Sequence, residues 1–568
     1  MKTMIIGGVA GGATATARLR RNDERAEILL VERGPYISFA NCGLPYHLSG
    51  VIAERSRLLV ATPELFQHRY RVDVRTGCEA VAINRAARTV RLRDLASGQE
   101  HDEAYDRLVL SPGAEPVRPP LPGLDSPRVH SLRNLPDLDR LMARLGSGEV
   151  RRAVVIGGGF IGVEVAENLR HRGLAVTLVE GAPQVIAPID AEMAALVHQH
   201  LAEQGVQLLL NARIAEFEDR AADTVAWLDS GVGLAAELIV LAIGVRPETR
   251  LAREAGLALG TTGGVAVNRH LQTSDPHIYA LGDAIEVTNT VSGQPSLIPL
   301  AGPANRQGRR VADHISATGQ DAAKPYPGTL GTAILKVFEL TVASTGLNER
   351  QARAAGLPVV STVTHSGSHA GYYPGAQPIS LKLVYTPEGR LLGAQAVGRD
   401  GVDKRIDVIA TALQAGLSAP QLADLELAYA PPFGSAKDPV NIAGYVAGNT
   451  LEGTHPIVHW HEVQTLDRDV VQLLDVRTPA EVAQGSIPGA RNLPLDVLRE
   501  HLGELDPARP VVVFCQVGLR GYLATRILMQ HGFAVRNLTG GWRTWSAATR
   551  HHHAEPHCVE DEPLRRPA

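Results

Sequence analysis

The chain's apolar residues fall in short runs that stop on glycine or on an acid. Met4-Ile5-Ile6 runs into Gly7-Gly8-Val9-Ala10-Gly11-Gly12 and an alanine-rich stretch reaching Arg21, and Ile28-Leu29-Leu30-Val31 then ends on Glu32. The pattern repeats: Val154-Val155-Ile156 meets Gly157-Gly158-Gly159, with Phe160, Ile161 and Gly162 after it, and Val176-Thr177-Leu178-Val179 ends on Glu180. Short apolar runs bounded by glycine predict buried strands, and the stretches between them predict helices, so each copy reads as a βαβ unit. Further strands are predicted at Leu108-Val109-Leu110, before Ser111-Pro112-Gly113, and at Leu238 to Ile243, before Gly244. Ile278-Tyr279-Ala280-Leu281 closes on Gly282-Asp283, and Val511-Val512-Val513-Phe514 closes on Cys515.

A strand, a glycine turn, a helix and an acid about twenty residues later form a dinucleotide-binding pattern. The glycines let the backbone approach a pyrophosphate, the helix N-terminus supplies free N–H groups, and the acid accepts hydrogen bonds from a ribose. The second copy has the full fingerprint in Gly157, Gly159 and Gly162; in the first copy Val9 stands at the middle glycine position. The strands before Ser111 and Gly113 and before Gly282 and Asp283 return the chain to the first site, where the Asp283 carboxylate suits a ribityl hydroxyl. Gly244 ends the counterpart strand of the second. The order is one nucleotide domain, an inserted second one, and a return to the first. Glu180 suits a free 2′-hydroxyl and repels a 2′-phosphate, which favours NADH while leaving NADPH possible.

Composition narrows the class. At roughly 150 residues per domain, 568 residues suggest about three or four domains. The formal charge of −4 and the lack of a long basic run give no support for nucleic-acid binding. Four cysteines, Cys42, Cys78, Cys515 and Cys558, are too few and scattered for a disulfide framework or a cysteine-rich zinc site. That usage suggests a reducing cytoplasm. The first strand begins almost at Met1 and is interrupted by glycines, so a secretory signal or membrane insertion is not expected there.

The chemistry centres on Ser38-Phe39-Ala40-Asn41-Cys42-Gly43-Leu44-Pro45-Tyr46. Cys42 is followed by Gly-Leu-Pro, which predicts a sharp turn of the backbone, so the thiol need not lie inside a helix or strand. Its nearest cysteine is Cys78, so a local two-cysteine redox pair is excluded. Either the thiol is a buried core residue or it works alone and takes its second sulfur from a ligand. Arg18 and Arg21 lie one turn apart on the first helix, where they form either a phosphate clamp or a solvated basic face.

After Gly448 a short connector leads to Leu473-Leu474-Asp475-Val476-Arg477, and later to the loop Cys515-Gln516-Val517-Gly518-Leu519-Arg520. A strand ending on cysteine, a glycine-containing loop and a following helix place the sulfur at N–H donors, which stabilise a thiolate or persulfide anion. The tail from Arg550 reads as disordered, although its histidines and Cys558 would also suit a metal. No resident metal is expected, and Cys78 is assigned no role.

The order of these motifs resembles the two-dinucleotide-binding flavoprotein disulfide reductases over about residues 1–445. SFANCGLPY is similar to their single-cysteine branch, the coenzyme A-disulfide reductases and persulfide reductases. Asp475, Arg477 and the Cys515–Arg520 loop resemble a rhodanese-type sulfurtransferase domain. The resemblance implies an α/β fold with two Rossmann-like domains, an α+β dimerisation domain and a C-terminal α/β rhodanese domain. The expected divisions are 1–150 plus 271–325 for FAD, 151–270 for NAD(P)H, 326–445 for dimerisation, 446–456 as linker, 457–549 as rhodanese and 550–568 as tail. It further implies that Cys42 is catalytic and that Arg33 and Tyr429 join the cofactor set. Thr14, Arg18, Arg21, Ser38, Asn41, Arg71, Asn305 and Lys437 would contact coenzyme A, Tyr373 and Tyr429 would reach a homodimer partner's active site, and Cys515 with Arg520 would carry sulfur. The implied activity is NADH-driven reduction of coenzyme A disulfide, coenzyme A persulfide or polysulfide. Two other readings remain: a single-cysteine NADH oxidase or peroxidase, against which Ala10 stands where peroxidases carry histidine, and a non-turning sulfur carrier or redox sensor.

Overall fold

The structure is a computed structural model, and it describes residues 1–317, 324–550 and 564–565. The chain divides into two compact units, one built from Met1–Gly181, Ala212–Gly331 and the C-terminal residues 564–565, and the other from Ala182–Asn211 and Thr332–Glu555.

The first unit begins with β1 (Lys2–Ile6), α1 (Ala10–Asn22) and β2 (Glu27–Glu32), followed by α2 (Leu44–Leu48), β3 (Asp73–Thr76) and β4 (Arg107–Leu110). Continuous apolar strands are what a sheet covered on both faces requires, and Met4, Ile5, Leu30 and Val109 are fully buried. The second nucleotide unit is built from β5 (Val129–His130), β6 (Arg152–Ile156), α3 (Phe160–His171) and β7 (Ala175–Val179). The following helix, α4 (Ala191–Glu203), belongs to the other unit, so the expected 151–270 segment is shared between the two. Then come β8 (Leu238–Leu241), β9 (Ile278–Ala280) and α5 (Ala301–Ser316). The first sheet has the order β9-β4-β1-β2-β3, and the second contains β7-β6-β8-β5. All their pairings are parallel.

Register fixes the sites. Ile6 pairs with Val31 and with Leu110, so Gly7, Glu32 and Ser111 leave the first sheet side by side. Ile156 pairs with Val179 and with Leu241, which does the same for Gly157, Glu180 and Ala242. These are carboxyl ends of parallel strands, where open α/β sheets bind ligands.

The second unit carries an antiparallel sheet of β10 (Ala333–Val337), β11 (Leu340–Gly346), β12 (Val360–Gly367), β13 (Pro378–Tyr385) and β14 (Leu391–Gly398), in the order β10-β11-β14-β13-β12. Helix α6 (Pro439–Leu451) runs into the region expected as linker, so the irregular connector shortens to Glu452–Pro456. Asp438 begins that helix with a capping box, its side chain accepting from Val440 N–H. A parallel sheet follows, formed by β15 (Ile457–Val458), β16 (Gln472–Asp475), β17 (Arg491–Asn492), β18 (Val511–Phe514) and β19 (Val535–Leu538), in the order β15-β19-β18-β16-β17. It is completed by α7 (Leu519–Gln530) and α8 (Gly541–Thr549). Strand β12 is tied to this part: Val363 N–H donates to Thr539 Oγ1 at 2.9 Å, and His365 Nε2 meets Thr544 Oγ1 at 2.9 Å.

Beneath β13 sits a buried charge cluster. Lys382 Nζ, 1% exposed, meets Asp190 at 2.9 Å, Glu349 at 2.6 Å and Glu192. Burial alone would favour the neutral amine, but the three carboxylates prevail and raise its pKa. Burial would likewise raise Glu349, yet Lys382 and the Ser361 hydroxyl bring it down to about 2. Trp460 Nε1 donates to Glu192 at 3.4 Å, so the lysine's cluster joins α4, the antiparallel sheet and the start of the C-terminal parallel-sheet segment.

In the tail, Leu564–Arg565 pair antiparallel with Val232 and Gly233. Residues 551–563 and 566–568, with the histidines and Cys558 considered as metal ligands, lie outside the described residues. Among the described residues no helix is long and apolar enough to cross a membrane.

Lys382→Met should be strongly destabilising, by about 3–5 kcal/mol, because it leaves three carboxylates buried around an uncharged side chain. Thermal melting at pH 7 measures this; a change of less than 1 °C would show that the cluster is solvated.

Candidate active site

Both glycine turns are built by close approach. Gly7 has φ +97°, and a Cβ there would lie 2.0 Å from Ser111 O; a Cβ on Gly12 would lie 1.9 Å from Gly7 O. Gly157 (φ +107°) and Gly162 repeat this against Ala242 O and Gly157 O at 2.4 and 1.8 Å. Each turn is also clamped by the acid that ends the next strand. Glu32 accepts from Gly8 N–H at 2.8 Å and Gly34 N–H at 2.7 Å, and Glu180 accepts from Gly158 N–H at 2.6 Å. The acids expected to meet a ribose therefore also hold the phosphate turn in shape.

The chain's groups fit two dinucleotides. Helices α1 and α3 start at Val9 and Gly159 with no side-chain cap and no acid in the first turn, leaving their N–H groups for anions. Ala10 and Gly11 open α1, and Phe160 and Ile161 open α3. Nothing lies within 4 Å of a Cβ built on Gly159 or Gly244, and Ile161 and Ile243, each 38% exposed, flank that space. Gly282 N–H donates to buried Gln307 at 2.7 Å, presenting Asp283 beside it. Burial raises the Asp283 pKa, its nearest cation is Arg133 at 3.7 Å, and among the described residues no group donates a hydrogen bond to it. Such a carboxylate suits a ligand hydroxyl. Gly113 (φ +78°) lies against the same arginine: a Cβ there would stand 3.0 Å from Nη2.

Cys42 does not stand in an open turn. Asn41–Gly43 form one turn of 3₁₀ helix that continues into α2, with Pro45 in the first turn, where its missing N–H costs nothing. The Gly-Leu-Pro sequence starts a helix here. Ser38 N–H donates to Gly8 O at 2.9 Å, tying the cysteine segment to the first glycine turn, and Ser38 adopts φ +46°. Cys42 is exposed. Partial enclosure of its sulfur and the Glu164 and Asp283 carboxylates push the thiol pKa up, and Arg133 opposes them. Glu164 on α3 accepts from Tyr46 Oη at 3.1 Å; burial pushes its carboxyl pKa up to about 7, with Tyr46 opposing and Glu167 reinforcing. The Asn41 carboxamide, turned to satisfy its neighbours, meets the Arg133 carbonyl and guanidinium.

The sequence reading missed Arg133, Glu164 and Tyr46 as site residues. Tyr46 closes the quoted cysteine segment, and Glu164 lies one turn into the helix after the second fingerprint. Arg133 follows β5 with no local signal.

The expected coenzyme A residues on α1 and α5 face one another. Thr14 Oγ1 donates to Asn305 Oδ1 at 2.5 Å, and Arg18 is paired with Asp313 at 2.6 Å. Gly308 permits this, since a Cβ there would lie 2.3 Å from Gly11 O. Of the two arginines, Arg18 is engaged by Asp313, while Arg21 is exposed. Arg309 also approaches Asp313, at 3.8 Å. Arg33 lies 3.8 Å from Glu79 and Arg71 3.9 Å from Glu24, both largely exposed.

In the second unit Tyr372 shares a 2.7 Å hydrogen bond with Tyr429, while Tyr373 packs its ring edge-on against His369 at 5.6 Å and remains 43% exposed. Lys437 is exposed next to the Asp438 cap. Cys515 is fully buried, and its sulfur accepts from Gly518 N–H at 3.2 Å. Arg520 lies beside it, braced by two hydrogen bonds to Glu481 at 2.6 and 2.8 Å. The buried Arg477–Asp475 pair reaches the same loop at Gln516 Oε1, 3.2 Å.

Residues 1–308 match the family described as pyridine nucleotide-disulphide oxidoreductase, and 332–439 match its dimerisation domain. The chain belongs to the pyridine nucleotide-disulphide oxidoreductases. Residues 461–548 of this oxidoreductase match the rhodanese-like domain. It is 36% identical over 447 residues to a coenzyme A disulfide reductase of Staphylococcus haemolyticus, covering 78% of this chain and 99% of that one. Among solved structures it is similar to reduced CoADR-RHD of Bacillus anthracis, with 50% identity and a TM-score of 0.94 over 96% of this chain and 98% of that chain. It is also similar to a NAD-dependent persulfide reductase from A. fulgidus, with 38% identity and a TM-score of 0.90 over 96% and 100%.

The Glu164 carboxyl yields a pH prediction. Its folded pKa of about 7 stands above the unfolded value near 4.3. The folded chain therefore keeps a proton that the unfolded chain releases between those values, and stability falls as pH rises through that window. Glu164→Gln should melt higher than wild type at pH 8, with the difference closing by about pH 4.5; a pH-independent difference would overturn the assignment.

Proposed function

We propose that the protein uses NADH to reduce coenzyme A disulfide, coenzyme A persulfide or polysulfide through Cys42, with Cys515 as an accessory sulfur carrier. The observation that carries this reading is the placement of one unpaired thiol, on a segment hydrogen-bonded to the first nucleotide turn, next to the α3 helix of the second. FAD at the first turn would supply the electron transfer between nicotinamide and sulfur. The Gly7–Gly12 turn, Glu32, Ser111, Gly113, Arg133, Gly282 and Asp283 would hold it, and Gly157–Gly162, Glu180 and Gly244 would hold NADH.

The chain's own part is positioning and proton handling. Cys42 as thiolate attacks one sulfur of the disulfide or persulfide; a new S–S bond forms, the old one breaks, and the other sulfur leaves as thiolate or hydrosulfide. Because burial and two carboxylates raise the Cys42 pKa, Arg133 is the chain's counter-charge favouring the thiolate. Glu164, titrating near neutrality, is placed through Tyr46 to take up or return the proton. Thr14, Arg18, Arg21 and Asn305 line a polar seam suited to the nucleotide part of coenzyme A, with Ser38, Asn41, Arg71 and Lys437 as further contacts. A homodimer fits the exposed aromatics of the second unit, where Tyr372 is 75%, Tyr429 47% and Phe433 72% exposed. In it, Tyr373 and Tyr429 would offer hydroxyls to a leaving thiolate, with Tyr372 hydrogen-bonded to Tyr429.

Cys42→Ser should retain FAD yet lose NADH oxidation driven by coenzyme A disulfide or polysulfide by at least about a thousandfold, as expected for removal of a nucleophile. Normal turnover in that variant would sink the reading; oxygen-driven turnover alone would favour the oxidase reading.

NADH should be preferred over NADPH. Glu180→Ala should narrow the kcat/KM ratio of the two cofactors by roughly tenfold, about the worth of one hydrogen bond to a charged group. A wild-type preference for NADPH would refute the role given to Glu180.

A further inference from the structure

The connector that leads into the rhodanese segment ends against the loop that holds Cys515. His455 is 4% exposed, and its Nε2 lies 2.8 Å from Asn537 Nδ2. The same Asn537 Nδ2 donates to Gly518 O at 3.1 Å, and Gly518 N–H donates to Cys515 Sγ at 3.2 Å. At its other end the connector is anchored to α6, where His455 N–H and the Thr454 hydroxyl both donate to Asn449 O, at 3.0 and 3.1 Å.

We propose that His455 is a positioning residue for Cys515, acting through Asn537 on Gly518 to hold the N–H that faces the sulfur. The proposal rests on the reading of Cys515 as a sulfur-carrying nucleophile. Gly518 has φ +107° and ψ −30°, a conformation that glycine alone adopts readily and leaves as readily. Its carbonyl is fixed from two sides, by Tyr522 N–H at 2.8 Å and by Asn537. The Tyr522 bond is the first bond of α7 and forms with the helix. Asn537 is thus the constraint supplied from outside the loop and its helix. Asn537 is itself confined, since a Cβ on Gly521 would lie 2.2 Å from its Oδ1. Its amide then has to present N–H to both Gly518 O and His455.

That geometry needs a histidine nitrogen that accepts. Burial lowers the His455 pKa to about 4, so the ring is neutral at pH 7, with Nε2 as acceptor and the proton on Nδ1. The ring is also wedged edge-on against Tyr522, 4.8 Å between centroids. An N–H held against sulfur favours the anionic form, whether thiolate or persulfide. Loss of the His455 acceptor would free the Asn537 amide to rotate, Gly518 would sample other conformations, and the sulfur would lose its donor.

The test uses the full-length protein and two variants. His455→Leu removes the acceptor at similar volume, and His455→Gln restores one at about the reach of Nε2. Iodoacetamide alkylation of each cysteine is followed by peptide mass spectrometry across pH 6–10; the thiolate displaces iodide, forming a carbon–sulfur bond. Sulfur transfer is followed as thiocyanate: Cys515 thiolate takes the outer sulfur of thiosulfate, releasing sulfite, and cyanide then removes that sulfur and returns the thiolate. His455→Leu should slow Cys515 alkylation at pH 7 about tenfold, because the sulfur loses the N–H that favours its thiolate. Thiocyanate formation should fall in parallel while Cys42 alkylation is unchanged, and His455→Gln should restore both to within about twofold of wild type. If His455→Leu does not fold, His455→Asn, whose amide stops short of Asn537, replaces it with the same expectation. A wild-type Cys515 alkylation profile in the Leu or Asn variant overturns the proposal, as does failure of a normally melting His455→Gln to rescue. Absence of thiocyanate formation by the wild type would instead overturn the sulfur-carrier reading, with the alkylation profiles still deciding the role of His455.

Discussion

At the first turn there is no room for a side chain at either end. The carbonyl of Gly7 occupies the space that a Cβ on Gly12 would need, and Ser111 O occupies the space that one on Gly7 would need. This double approach brings β1, β4 and α1 to one point, and the Glu32 carboxylate then locks the turn from the side. The cysteine depends on it: Ser38 is hydrogen-bonded to Gly8 O, and Ile37 packs where any side chain on Gly8 would be. A larger residue in the turn would therefore displace Cys42 as well as a bound nucleotide.

Charge does different work in the two units. Around Cys42 burial, with the Glu164 and Asp283 carboxylates, outweighs Arg133 and holds the thiol pKa up, and burial brings the Glu164 carboxyl to near neutrality. Around Lys382 the same excess of carboxylates over a cation is structural, because the lysine touches all three and the indole of Trp460 shares one of them. The distinction is hydrogen bonding. Asp190, Glu192 and Glu349 each have a direct donor, whereas Asp283 has only a distant guanidinium.

The two cysteines also sit in different surroundings. Cys42 is exposed beside acids, and Cys515 is fully buried with an N–H on its sulfur and an arginine nearby. The first setting suits a thiol whose reactivity is set by what binds beside it, and the second suits a preformed anion site. The rhodanese loop is reached by the connector itself, which ends on His455 against Asn537.

Sequence alone determined the strands, both glycine turns, their acids and the two cysteine loops, because each is encoded within a few residues: an apolar run, glycines at fixed spacing, a carboxylate at the next strand's end. Thr14 and Asn305, named through the resemblance, are joined by the structure across nearly three hundred residues. Local rules said less than the fold at Gly43-Leu44-Pro45, where glycine and proline begin a helix. Tertiary structure alone decided that Asp313 occupies Arg18, that Arg133 and Glu164 stand near Cys42, and that the connector supports the Cys515 loop. Those contacts join residues dozens to hundreds of positions apart through packing and desolvation, and neither quantity exists until the chain has folded.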